Sequence, residues 1–211
     1  MRSGKPSRTA QFVAYNRALG NLAPKVPGFS DPLAVELMPD NWKARIERRR
    51  RWLALDRKPG RSPYPFWLRG MGLFNHFRTV VLDRAIVSAA PVAQLVVLGA
   101  GFDTRAWRLD ALADTTVFEV DHPATQALKR ERAAAIPAKA RQVRFVATDF
   151  RRNDMAASLR AAGYDPSLPT FWLWEGVTVY LRPEAVAANL EALAALSAAG
   201  SHLALTYMSK G

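Results

Sequence analysis

Short apolar runs recur through the second half of the chain, and each one breaks into a polar or glycine-bearing stretch with helical spacing. "QLVVLG" from Gln94, "TTVFEV" from Thr115, "QVRFVAT" from Gln142, "TFWLWEG" from Thr170 and "HLALTYM" from His202 read as strands. The intervening "DTRAWRLDAL", "PATQALKRERAAAI", "DMAASLRAAG" and "PEAVAANLEALAALSAAG" read as helices, with Pro123 at a favoured first position and Gly163 closing the third. Strands this apolar, alternating with helices, predict an α/β fold: a parallel sheet covered on both faces. The first 90 residues lack the alternation. They predict helices near residues 7–20, 31–37, 41–56 and 63–88, divided by the turn-rich "APKVPGFSDP" and "RKPGRSPYP". The expected organisation is an N-terminal helical cap, residues 1–90, on a sheet-bearing core, residues 91–211. The cap would supply one wall of a substrate pocket.

Composition narrows the chemistry. The 211 residues are 49% hydrophobic and 23% charged, enough for one domain with a sizeable core. With no cysteine in the chain, disulfides, zinc thiolates and a cysteine nucleophile are excluded, and no metal site is expected. The N-terminal "MRSGKPSRTAQF" has no apolar core of a secretory signal. The apolar stretch from Ala85 to Phe102 is divided by Pro91, Gln94 and glycines, so it reads as a helix end and a strand rather than a membrane span. A cytoplasmic protein is expected. The net charge of +12 sits in the cap, where 17 Lys/Arg face 6 Asp/Glu up to Ala90, against 13 and 12 beyond it.

The most specific local signal is "LGAGFDTRAWRL" after the first strand. Gly99 and Gly101 permit a tight turn and close approach of a ligand to the backbone. Asp121, about 20 residues later in "FEVDHP", stands where a carboxylate accepts from ribose hydroxyls, with Glu119 as the neighbouring alternative. A dinucleotide fingerprint would need glycine at Thr104 and a helix N-terminus open to pyrophosphate, whereas Asp103 places an anion there. S-adenosylmethionine, with ribose and adenine but no phosphate, suits an acidic turn better. A turn with nothing bound is the bland alternative, and Asp103 as a helix cap is another.

Taken together, "LGAGFDTRAWRL", "FEVDHP", "ATDF" and "WEGVTVYL", preceded by "SRTAQFVAYNRALG", "DPLA" and "FRTVVLDR", resemble the leucine carboxyl methyltransferase-like family of S-adenosylmethionine-dependent methyltransferases. Within it, the prokaryotic branch of small-molecule O-methyltransferases is the most similar. The resemblance implies a class I, Rossmann-like core and a set of cofactor contacts. Arg78 would pair with the methionine carboxylate, Gly99 and Gly101 would pass under the methionine portion, and Asp121, with Glu119 beside it, would hold the ribose. Asp149 and Phe150 would address the adenine. Glu175 would face the amino group and the methyl-transfer site. Arg8 is a weaker match to a basic residue of the N-terminal segment.

A carboxylate acceptor is already ionised at neutral pH and needs no general base, whereas a phenol or alcohol does. His76, Tyr180 and Glu175 are the candidate catalytic residues, with a structural role for His76 and a core role for Tyr180 as the alternatives. The expected partner is a small-molecule acceptor, the first candidate being an anion. The basic "KARIERRRRWLALDRKPGR" raises nucleic-acid binding or RNA methylation as a second class, but a solvated basic helix explains it more simply, and "WEGV" replaces the Asn/Asp-Pro-Pro-aromatic pattern of base-amino methylation. The chain ends just after the fifth strand, where the family's sheet continues. That leads to the expectation of a shortened core, and to a third class, a non-catalytic cofactor-binding remnant.

Overall fold

The computed structural model describes residues 6–22, 26–55, 66–148 and 155–208. The cap contributes α1 (Arg8–Leu22), α2 (Asp40–Leu55) and α3 (Phe66–Ala89). The core follows as β1 (Gln94–Leu98), the single-turn α4 (Arg105–Arg108), β2 (Thr116–Asp121), α5 (Pro123–Ala133), β3 (Gln142–Ala147), α6 (Met155–Ala161), β4 (Thr170–Trp174), α7 (Pro183–Ala195) and β5 (His202–Leu205). The helix expected near 31–37 is only a 3-10 turn over Pro32–Ala34. Its bonds span three residues, as in Glu36 N–H to the Leu33 carbonyl at 3.0 Å. Likewise, the predicted "DTRAWRLDAL" helix breaks into α4 and a second 3-10 turn, Asp110–Leu112.

All five strands are parallel in the order β3-β2-β1-β4-β5. The three central strands β2, β1 and β4 are buried along their whole length, as their apolar runs require, while β3 and β5 are partly exposed edges. Alternate residues serve opposite faces. Leu95, Val97, Val117, Phe171 and Leu173 pack with Ala14 and Ala18 of α1, Leu82 and Ile86 of α3, and Ala133 of α5. Val96, Leu98, Phe118, Val120, Trp172 and Trp174 pack with Met155 and Leu159 of α6 and Leu193 of α7. The cap therefore shares one core with the sheet instead of standing off it.

Strand order fixes where a site can form. The chain leaves β1 toward β2 on one side, and returns across β1 to place β4 on the other. Leu98 pairs with Trp174, so the turns that follow β1 and β4 open side by side at the C-terminal edge. In open α/β sheets this point of reversal is where a crevice forms and ligands bind. Gly99 and Glu175 are the first residues past the two strands.

Candidate active site

The turn after β1 takes its shape from Gly99, at φ +71°, and Gly101, at φ +51°, both in the left-handed region that glycine tolerates. Their open sides are covered by the chain itself. A Cβ on Gly99 would lie 2.3 Å from Val177 Cγ2, and one on Gly101 3.0 Å from Ala10 Cβ of α1. On the side where a Cβ would stand, the turn is closely packed by protein side chains. Asp121 ties the turn to the end of β2: its carboxylate accepts from Gly101 N–H at 2.5 Å and from His122 N–H at 2.5 Å. Burial raises the Asp121 pKa against those two bonds. Each oxygen retains a second lone pair, so the group can still accept from a hydroxyl.

Arg78 reaches from α3 to the residue beyond β4, its Nε donating to Glu175 Oε1 at 2.6 Å. Arg105 holds the other oxygen, with Nη1 at 2.9 Å from Glu175 Oε2. Burial raises the Glu175 pKa, but Arg105 and then Arg78 outweigh it and hold the carboxyl below its ordinary range. Arg78 also lies over the Phe74 ring, 5.4 Å from its centre.

From Arg105 an ion network runs back into the cap. Its Nε donates to Asp83 Oδ1 of α3 at 2.7 Å, and its Nη1 also meets Asp103. Arg108 binds the same Asp83, donating from Nη2 at 2.8 Å, and lies 3.7 Å from Asp31, which Arg17 of α1 pairs at 2.8 Å. Four arginines and four carboxylates thus alternate across the junction of cap and core. A buried charge is tolerable only when paired, and here each has at least one opposite neighbour.

Several sequence-predicted residues sit elsewhere. Asp103 serves α4: its Oδ1 accepts the Arg105 N–H at 2.7 Å, and its other oxygen takes the Arg105 guanidinium. Burial disfavours its charge, but Arg105, Lys129 and Arg17 hold its pKa well below the usual carboxylate range. It is a counter-ion to Arg105 and takes the first N–H of α4, so it places an anion at the start of that helix. Glu119 does not stand at the crevice. It lies within β2, 1% exposed, with Lys129 Nζ of α5 donating to it at 2.6 Å. Burial pushes its pKa up to about 7 against that lysine. His76 is buried inside the cap, its Nε2 at 2.7 Å from the Asn16 carbonyl and its ring against Phe29. It lies two residues before Arg78, on the opposite side of α3. Burial lowers its pKa. Tyr180, a catalytic candidate with a core role as its alternative, is 67% exposed five residues after Glu175, which removes the core alternative. Arg8 is exposed at the start of α1. Asp149 and Phe150 lie outside the described residues.

Sequence reasoning missed Arg105, Asp83 and Lys129. The signal was available: Arg105 sits in "FDTRAW" among buried residues, and Lys129 occupies the same helical face as buried Thr125, Gln126 and Ala133. A charge at such a position demands a partner. Among the described residues no acidic or histidine cluster could hold a metal ion, and no helix is long and apolar enough to cross a membrane.

The sequence signature of the leucine carboxyl methyltransferase family matches residues 10–194. A Streptomyces coelicolor protein is 38% identical over 202 residues, covering 93% of this chain and 64% of its own length. A Frankia alni protein is 35% identical over 212 residues, covering 96% of this chain and 69% of its own. One from Mycolicibacterium smegmatis is 44% identical over 134 residues, 62% of this chain and 45% of its own. All three bear names of S-adenosyl-L-methionine-dependent methyltransferases. The chain therefore spans between 45% and 69% of the length of these relatives.

Proposed function

Because the chain belongs to the leucine carboxyl methyltransferase family, as its sequence blocks predicted, we propose that it transfers a methyl group from S-adenosylmethionine to an oxygen of a small molecule. The observation that carries this reading is the Arg78–Glu175 pair at the single reversal point of the sheet. One exchangeable cation and one exchangeable carboxylate match a zwitterionic amino-acid end. The ligand carboxylate takes the Arg78 guanidinium, and its ammonium takes Glu175 Oε1. Asp121, at the end of β2 on the other side of β1, accepts from the ribose hydroxyls. Nothing in the turn offers the free helix N-terminus that a pyrophosphate requires, because Asp103 occupies it.

When bound, the cofactor supplies an activated methyl group on a sulfonium. The chain contributes alignment and charge placement. Around the pair, exposed Phe74 and Tyr180 offer apolar and aromatic surface, which favours a small organic acceptor. Among the described residues, His76 is turned into the cap, and His122, next to Asp121, has its Nδ1 engaged by the Ala124 N–H at 3.3 Å. That favours an acceptor oxygen that is already ionised, a carboxylate, over a phenol or alcohol.

The test is incubation with methyl-labelled S-adenosylmethionine and matched panels of carboxylic acids, phenols and alcohols. Label recovered as base-labile methyl esters is the expected result. Label on nitrogen or carbon, or on RNA, would overturn the O-methyl reading.

A further inference from the structure

The two oxygens of Glu175 have partners of different kinds. Oε1 meets Arg78, which is 13% exposed and reaches across from the cap. Oε2 meets Arg105, which is 2% exposed and held at three of its nitrogens. The Arg105 backbone N–H is held by Asp103, its Nε by Asp83, and its Nη1 is shared between Asp103 and Glu175. Accepting an ammonium at Oε1 means releasing Arg78. The cation that must then keep Glu175 ionised and in place is Arg105.

Resting on the cofactor reading above, we infer that Arg105 is a positioning residue: its guanidinium holds the Glu175 carboxylate in the orientation that receives the ammonium of an amino-acid-bearing ligand. It does so without touching the ligand. The charged groups acting on Glu175 are Arg78 of α3, Arg105 of α4, Asp103 of the turn before it, and Arg17 of α1, with Asp83 of α3 paired to Arg105 behind them. Of the cations, Arg105 has the largest effect in keeping Glu175 ionised, ahead of Arg78 and Arg17, while burial and Asp103 oppose it. Without Arg105, burial and Asp103 act against fewer cations, which raises the proton affinity of Glu175, and a protonated carboxyl loses most of its attraction for an ammonium. The same guanidinium ties Glu175 to Asp83, five residues beyond Arg78 on α3, so the two halves of the amino-acid site share one anchor.

The test compares two adenosine thioethers by calorimetry: S-adenosylhomocysteine, which carries the amino-acid end, and 5′-methylthioadenosine, which lacks it. Arg105→Met should weaken S-adenosylhomocysteine about tenfold to a hundredfold, the scale of a lost charged hydrogen bond. It should leave methylthioadenosine within about threefold, since additivity holds for groups without shared partners. The remaining S-adenosylhomocysteine affinity should rise with pH as Glu175 ionises, while the parent protein stays flat over the same range. Arg105→Lys keeps the charge but cannot span three carboxylates. It should give a smaller loss confined to S-adenosylhomocysteine, with a flat pH profile, and it decides the matter if Arg105→Met does not fold. Equal losses for both ligands, or no loss for either, would overturn the positioning role. A parent protein that binds neither ligand would overturn the cofactor reading itself, and the inference with it.

Discussion

Two glutamates, one inside the sheet and one just past its edge, are each paired with a base and have opposite fates. Glu119 lies inside β2, where neighbouring strands and α5 enclose it; its lysine partner is as buried as it is, with both side chains at 1%. Glu175 lies one residue beyond β4, and its partner Arg78 arrives from the cap. The first pair also touches Trp107, whose ring centre is 5.1 Å from Lys129 Nζ, and nothing there can be exchanged. The second pair opens at the C-terminal edge, where the order of strands reverses. Position along the strand, more than residue type or burial, separates a charge that holds the fold from one available to a ligand.

The largest expected effect breaks the enclosed pair. Lys129→Ala should destabilise the protein by about 3–5 kcal/mol, because Glu119 is left buried without its cation. The double variant Glu119→Leu/Lys129→Met should recover most of that loss in denaturant unfolding. Cofactor affinity of the folded fraction should stay the same in both. A comparable loss of affinity would show that the two pairs are not separable.

Next comes the open pair. Arg78→Ala should weaken S-adenosylhomocysteine binding by about 2–3 kcal/mol, the scale of a lost charge-assisted bond, as read by calorimetry. It should cost far less stability than Lys129→Ala, since Glu175 keeps Arg105. Unchanged affinity would remove Arg78 from the site.

Gly99→Ala probes the turn between the two. A Cβ there meets Val177 at 2.3 Å and must adopt φ +71°, so a cost of about 1–3 kcal/mol is expected in thermal or denaturant unfolding.

Within any one pH unit the smallest effect is a slope. Glu119 has a pKa raised from 4.5 to about 7, chiefly by burial, so the folded state binds the extra proton between those values. Its contribution to stability is full below about pH 4.5 and declines as pH rises toward 7, no faster than about 1.4 kcal/mol per pH unit for one proton. Glu119→Gln should remove that decline from the pH dependence of unfolding. Glu175, with a lowered pKa, should show the reverse sign and act only in more acidic solution.

Much of this was legible in the sequence. The short apolar runs marked all five strands, and the distance from Gly101 to Asp121 placed the turn and its carboxylate together. Glu175 came from the resemblance of "WEGVTVYL", and its place just past the apolar "TFWLW" agrees with a carboxylate that needs a partner. Sequence alone did not separate Glu119 from Asp121, because both face the same side of β2 and only depth along the strand distinguishes them. Arg105 was passed over because arginines are common in this chain, although its neighbours are apolar. The network's cap members, Arg17, Asp31 and Asp83, come from helices and turns whose docking no local pattern specifies. The helix near 31–37 was over-read for the same reason: the apolar spacing was present, but the segment makes only a 3-10 turn.

The central claim is that the paired charges beyond β1 and β4 receive an amino-acid-bearing nucleoside. Calorimetry of the protein with S-adenosylhomocysteine and with NAD tests it most directly. Saturable binding of S-adenosylhomocysteine, weakened by Arg78→Ala and with NAD far weaker, is the predicted result. Folded protein that ignores S-adenosylhomocysteine, or that binds NAD more tightly, would contradict it.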